Sequence, residues 1–192
     1  MVTRIELEYL YLDGSHFKMH PGAPAEPVRV AWGITTDGKP VLLSVEPGAA
    51  ESIDAWRDFL CQMAGRGLRA PSLVVSDGGA GRIGAVELVF SRSDRQRYLI
   101  HRARNVLAKV PKHDQDQVKK DFWAIWKGIA TGAGEAAVLE AEKRVKAFSA
   151  KRKTLYPAAV ACLEDDLGHL TTYLRFPKEH WARIRHSGVD AV

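Results

Sequence analysis

Two short apolar runs, each halted by an aspartate and a glycine, constrain this chain more than any other feature. Residues 5–13 (IELEYLYLD) alternate and then turn continuously apolar before Asp13 and Gly14. Residues 72–76 (SLVVS) are an apolar run before Asp77, Gly78 and Gly79. Continuous apolar character marks a strand buried on both faces, the habit of parallel strands in covered sheets. Each run reads as a buried strand carrying a carboxylate at its C-terminal end, where open α/β sheets gather their ligands.

The surrounding pattern fills in a mixed sheet. Residues 27–36 and 40–46 read as two further strands joined by Asp37-Gly38, a two-residue hairpin signal. Residues 52–65 have helical spacing, with Ile53, Trp56, Leu60, Met63 and Ala64 on one face. Residues 80–90 read as a second helix with Ile83, Val86 and Phe90 inward, and residues 97–100 (RYLI) as a short fifth strand. The predicted order is three antiparallel strands, then a helix, strand, helix and strand: an α/β domain over 1–100. From His101 the periodicity is helical throughout, over 101–110, 113–127, 135–151, 155–166 and 178–185, with Pro111, Gly132, Gly134, Pro157 and Pro177 as punctuation. An all-helical segment over 101–185 and a short tail at 186–192 complete the expected organisation.

Charge divides along the same line. Residues 1–90 carry a net −3 and residues 91–192 a net +8, which points the second half toward a polyanion. No apolar run approaches the ~18 residues of a membrane span, and the first residues, with two acids and no small-residue cleavage site, do not read as a signal peptide. A cytoplasmic protein follows. Cys61 and Cys162 are expected to be buried free thiols, with neither a disulfide framework nor a zinc site.

If the two Asp-terminated strands are neighbours, Asp13 and Asp77 lie about one strand spacing apart, roughly 5 Å. Two carboxylates that close repel unless a proton or a cation lies between them. Mg²⁺ or Mn²⁺ suits such hard oxygen donors, and a pair of metals could activate a nucleophile and stabilise a leaving oxygen at a phosphodiester. An Asp-Gly after a strand also serves as a plain turn, as at Asp37. A second constellation is basic: residues 91–112 hold seven Lys or Arg and one acid. Arg95, Arg97, Arg102, Arg104, Asn105, Lys109 and Lys112 are candidate DNA contacts, with Arg102 and Asn105 three apart on one helix face; a solvated basic face is the alternative. His101 stands at the expected strand-to-helix junction, as a catalytic or a capping side chain. Trp181, among Lys178, Arg183 and Arg185, could stack on an exposed base or belong to the core. Trp123 and Trp126 read as core.

Taken together these blocks resemble the catalytic region of the Mutator-like transposases, the DDE-type transposases of bacterial insertion sequences. The carriers are YLYLDG (9–14), GITTDGKPVLLSVEPG (33–48), ES–AWRDFL (51–60), GLRAPSLVVSDGGAG (67–81), QRYLIHRARNVLAKVPK (96–112), FWAIW (122–126), LYPAAVACLEDDL (155–167) and FPKEHWARIR (176–185). The resemblance implies an RNase H-like fold with a helical insertion before the last core helix, and DNA transposition by divalent-metal strand cleavage and strand transfer. It implies Asp13 and Asp77 as the first two acids of the triad and as ligands of Mg²⁺ or Mn²⁺. His101 is the histidine of a Cys/Asp-x-x-His signature whose first position is here Tyr98. The implied partners are transposon-end and target DNA and further copies of the chain, with no membrane and no small-molecule substrate, in a bacterial, nucleoid-associated setting. The third acid of the family pattern falls on Ala191, next to Asp190, so the last core helix is expected to be missing and the core to be cut short at both ends. Two states follow: a weakly active or inactive transposase copy, or a non-catalytic DNA-binding or regulatory fragment.

Overall fold

The computed structural model describes residues 6–17, 22, 26–48 and 51–186. They fall into two compact units, 1–95 and 96–192. Among the described residues no helix is long and apolar enough to cross a membrane.

The first unit is a mixed α/β assembly. Strands β1 (Leu7–Phe17), β2 (Glu26–Thr35) and β3 (Pro40–Pro47) form an antiparallel meander, followed by α1 (Ile53–Gly65), β4 (Leu73–Ser76), α2 (Ala80–Val89) and β5 (Asp94–Arg97). The strand order is β3-β2-β1-β4-β5, with β1 central, antiparallel to β2 and parallel to β4. The continuous apolar runs have the expected cause, since all four residues of β4 are buried, as are Tyr9–Leu12 of β1. One sheet face, carrying Leu10, Leu12, Ala31 and Val74, shares a core with Trp56, Phe59 and Leu60 of α1 and Ala85 and Val86 of α2. The β2–β3 turn runs through Asp37 and Gly38, where Gly38 adopts φ +82° and its N–H donates to the Thr35 carbonyl at 2.8 Å. Helix α1 begins at Ser52, whose hydroxyl accepts from the Ala55 N–H at 3.2 Å.

Several boundaries move. Strand β1 does not end at Asp13: it runs on to Phe17, paired with β2 down to Glu26. A partner strand of ten residues carries the ladder past the end of the apolar run. On α1, Phe59 faces inward while Ile53 is 45% exposed. Strand β5 lies three residues earlier than the RYLI run, because Tyr98 caps the next helix, α3 (Leu99–Leu107). The division between the units falls inside β5, not at residue 100. Gln96 explains its position: the side chain is 1% exposed, its amide donates to the Leu170 carbonyl at 3.2 Å, and its oxygen accepts the Tyr173 N–H at 2.8 Å. Gln96→Leu leaves both backbone groups buried and unpaired. It is expected to cost about 2–4 kcal/mol, read as a lower urea midpoint for the second unit.

The second unit is helical, as expected. After α3 come α4 (Gln115–Trp126), α5 (Glu135–Arg152), α6 (Pro157–Glu164), α7 (Leu167–Thr171) and α8 (Trp181–Ile184), with 3-10 turns at Lys112–Asp114, Thr172–Arg175 and Lys178–His180. Pro157 occupies the first turn of α6. Helix α7 carries no apolar periodicity that would announce it. It starts at Asp166, a non-glycine residue at φ +62°, and the Thr171 and Thr172 hydroxyls bond back to the Gly168 carbonyl. Trp126 is buried, and Trp123 is half-buried against Phe122 and His186. The thiols are not both buried: Cys61 lies on the outer face of α1 and is exposed, and Cys162 is partly so. The tail positions Asp190 and Ala191 lie outside the described residues.

Two carboxylates anchor this unit. Burial pushes the Asp121 carboxyl up, but hydrogen bonds from Arg152 and Lys151 outweigh it and leave the group below the ordinary carboxylate value. Asp166 is treated likewise, desolvated by burial yet held down by His169 and Arg97. A carboxyl depressed in the folded state adds stability above its unfolded value, and that stability is lost as pH falls through the folded value. The melting temperature is therefore expected to drop below about pH 4. Asp121→Asn should flatten that acid limb while lowering stability at pH 7.

Candidate functional site

The parallel ladder of β1 and β4 pairs Tyr9 with Leu73 and ends at Leu12 with Ser76. Asp13 and Asp77 each follow that last pair by one residue, so the two carboxylates arise at adjacent positions on neighbouring strands. Asp13 is half-buried within β1, opposite Val30 of β2. By alternation it shares a face with Tyr9 and Tyr11, and Gly14 shares the helix-covered face with Leu10 and Leu12.

Asp77 is held from the helix side. Its Oδ1 accepts the Gly79 N–H at 3.0 Å and lies 2.5 Å from Nη1 of Arg82 on α2. Arg82 is 2% exposed. Its Nη2 donates to Oε2 of Glu51 at 3.2 Å, and its guanidinium lies 4.2 Å from the centre of the Trp56 ring. The Trp56 indole N–H donates to the same Glu51 oxygen at 3.0 Å. A Cβ at Gly14 would stand 3.0 Å from both Arg82 Nη2 and Glu51 Oε1, so the residue beside Asp13 leaves room for this ion pair. The Asp77 turn therefore does two things: it closes the strand, and it aims a carboxylate at a buried cation.

Glu51 and Trp56 lie in the block ES–AWRDFL (51–60) that carries the resemblance, but no motif marks them or Arg82 as site residues. A signal existed in the spacing: Arg82 is three and four residues before Ala85 and Val86, on the face α2 buries. A basic residue in an apolar register needs an internal partner. The expected inward residue Ile83 is only half-buried, because the helix turns its 82–85–86 edge to the core.

Oxygens at this end that could hold a divalent cation include those of the Asp13 carboxylate and the second oxygen of Asp77. They are hard donors of the kind Mg²⁺ prefers. Among the described residues no group of three or more His, Cys, Asp or Glu is gathered for a metal.

The basic residues divide by burial. Arg104, Asn105, Lys109 and Lys112 are exposed. Arg102 is not the phosphate contact its spacing suggested: it is 4% exposed, donates to the Cys162 carbonyl at 2.5 Å and lies 3.4 Å from Asp165. Arg97 pairs with Asp166 at 3.0 Å, and Arg95 with Glu87 at 2.9 Å. Trp181 takes its core role; it is 9% exposed, its N–H donates to the Phe176 carbonyl at 2.8 Å, and its ring meets Tyr173 edge-on. Each amphipathic side chain turned inward because a carboxylate or carbonyl stood within reach, which spacing along one helix does not reveal. His101 is the third residue of α3, not a junction residue, and its half-buried ring lies 5.3 Å from that of Tyr98.

A family model described as "Transposase, Mutator family" matches residues 4–188. The chain is 33% identical over 177 residues to the transposase for insertion sequence element IS6120 of Mycolicibacterium smegmatis, covering 92% of this chain and 53% of that protein. It is 33% identical over 178 residues to the transposase for IST2 of Acidithiobacillus ferrooxidans, covering 91% and 58%. With the transposase for ISRM5 of Rhizobium meliloti the identity is 31% over 184 residues, covering 94% and 44%. The chain spans about half the length of the curated relatives it matches.

Proposed function

The chain belongs to the Mutator family of transposases, and from that premise we propose that it carries the strand-cleavage core of a DNA transposition enzyme, with Asp13 and Asp77 as ligands of Mg²⁺ or Mn²⁺. The observation that carries this reading is the β1–β4 register, which brings two carboxylates to adjacent strand positions. The strand order β3-β2-β1-β4-β5, a meander followed by parallel strands, supports an RNase H-like arrangement. For His101, a catalytic role is proposed on the strength of its motif alone. When bound, a divalent cation supplies activation of the attacking hydroxyl and charge stabilisation at the scissile phosphodiester. The chain's own part is to fix the donors. The Gly79 N–H and Arg82 lock one oxygen of Asp77, and β-sheet pairing fixes the backbone at Asp13.

The proposed partners are transposon-end and target DNA, with further copies of the chain. Arg104, Asn105, Lys109 and Lys112 are the proposed backbone contacts. Replacing Arg104, Lys109 and Lys112 together by Ala is expected to weaken DNA binding without regard to sequence. It should reduce the slope of log K against log salt by about 2.7, since each phosphate contact contributes about 0.9.

Turnover by this chain alone is proposed to be weak, because a guanidinium already neutralises Asp77. The test is cleavage and strand transfer on a donor carrying terminal inverted repeats. Product that needs Mg²⁺ or Mn²⁺ supports the reading. Salt-sensitive binding with no product at any metal concentration favours the second reading, a non-catalytic DNA-binding fragment, which the exposed basic residues of the second unit would serve without the acids.

A further inference from the structure

The Asp77–Arg82–Glu51 chain is more than a structural ion pair. A buried guanidinium against a proposed metal ligand is an internal cation competing for the same carboxylate. We propose that Arg82 sets the affinity of Asp77 for divalent cations: it holds the carboxylate ordered and neutralised when no metal is bound, and weakens metal binding by its charge. This rests on the reading of Asp13 and Asp77 as metal ligands.

Three features of the geometry carry it. Arg82 is almost wholly buried, so its charge is poorly screened by water. It reaches Asp77 through Oδ1 at 2.5 Å, the oxygen that also accepts the Gly79 N–H, which leaves Oδ2 as the donor for a cation. Arg82 is also tethered away from Asp77, by Glu51 on its other nitrogen and by the Trp56 face beneath it. Trp56 binds Glu51 through its indole N–H, so α1 and α2 hold the guanidinium in one place. A cation fixed in this way cannot swing clear when a metal arrives, and its repulsion persists in the bound state. Coulomb's law gives the scale: a single and a double charge about 6 Å apart repel by the equivalent of about tenfold in affinity even at the dielectric of water.

The experiment titrates the full chain with Mn²⁺ and follows the electron paramagnetic resonance signal of the free ion. Arg82→Met removes the charge and is expected to tighten binding about tenfold or more. Because that variant leaves Glu51 and Asp77 without their buried partner, the double variant Glu51→Gln, Arg82→Met is measured beside it. Removing both ends of a pair is far less disruptive than removing one; Glu51→Gln also removes a more distant negative charge, so the tightening should be smaller but of the same sign. Arg82→Lys keeps the charge and should stay within about threefold of the parent. The charge, not the loss of a positioning contact, is therefore what the series reads. Unchanged or weaker binding in both Met variants overturns the proposal, as does equal tightening by Lys and Met. Asp77→Asn separates the two readings: if it binds Mn²⁺ as tightly as the parent, the metal site itself is wrong. If it loses binding while the Met variants do not tighten, only the role of Arg82 fails.

Discussion

Asp77→Asn and Asp13→Asn are each expected to remove metal-dependent DNA cleavage while leaving DNA binding within about twofold of the parent. Metal stabilisation of a phosphoryl transition state is worth several kcal/mol, which at about 1.4 kcal/mol per tenfold is a loss of about 10²–10³ in rate. The two substitutions act on one site, so the double variant should be little worse than either single one. They should differ in stability. Asp77→Asn removes one of the two carboxylates paired with a buried guanidinium and should lower the melting temperature of the first unit. A nuclease assay on supercoiled and inverted-repeat substrates, paired with thermal melts, measures both effects. Cleavage surviving in both variants would move the chemistry elsewhere on the chain.

Gly81→Ala is expected to be the most damaging single methyl in the first unit. A Cβ there would stand 1.9 Å from the Glu51 carbonyl oxygen and 2.8 Å from the Ser52 carbonyl carbon. Both are backbone atoms at the start of α1, so no rotamer change relieves the clash. Helix α2 would have to withdraw from α1, opening the core around Trp56, Ala85 and Val86. Overpacking against a backbone that cannot yield costs about 3 kcal/mol or more. The same shift would pull Arg82 from Asp77 and Glu51, so the loss of stability and of ordered acid geometry should arrive together. Gly84 is a built-in control on the same helix. A Cβ there meets only the flexible Ile53 side chain, at 3.0 Å from its Cδ1, and Gly84→Ala should cost under about 1 kcal/mol.

Much of this is written in local pattern. The meander, the β4 run and α1 are legible because their periodicities are strong and their ends are marked by Asp37-Gly38, Ser52 and Asp77-Gly78. The family resemblance likewise rests on ordered blocks, which the match over residues 4–188 bears out. What escapes the sequence is what side chains meet across the fold. The continuation of β1 past Asp13 depends on a partner strand lying alongside it. Arg102 looks like a surface residue and Trp181 could be exposed or core until the Cys162 and Phe176 carbonyls appear beside them. The burial of Arg82 is the most consequential omission. It turns the bare acid pair expected from the sequence into a site where Asp77 lies against a buried cation. Helix α7 escapes for another reason: it is five residues long and begins at a strained, left-handed Asp166.

Asp13 and Asp77 are proposed to hold one divalent cation between them just past the last β1–β4 pair, Leu12 with Ser76. Paramagnetic broadening of backbone amide signals on adding substoichiometric Mn²⁺ tests it most directly. The first signals lost should be those of Asp13 and Gly14 together with those of Asp77, Gly78 and Gly79, and Asp77→Asn or Asp13→Asn should protect both groups at once. Broadening that centres on other residues, or that persists around one strand when the other acid is removed, would contradict it.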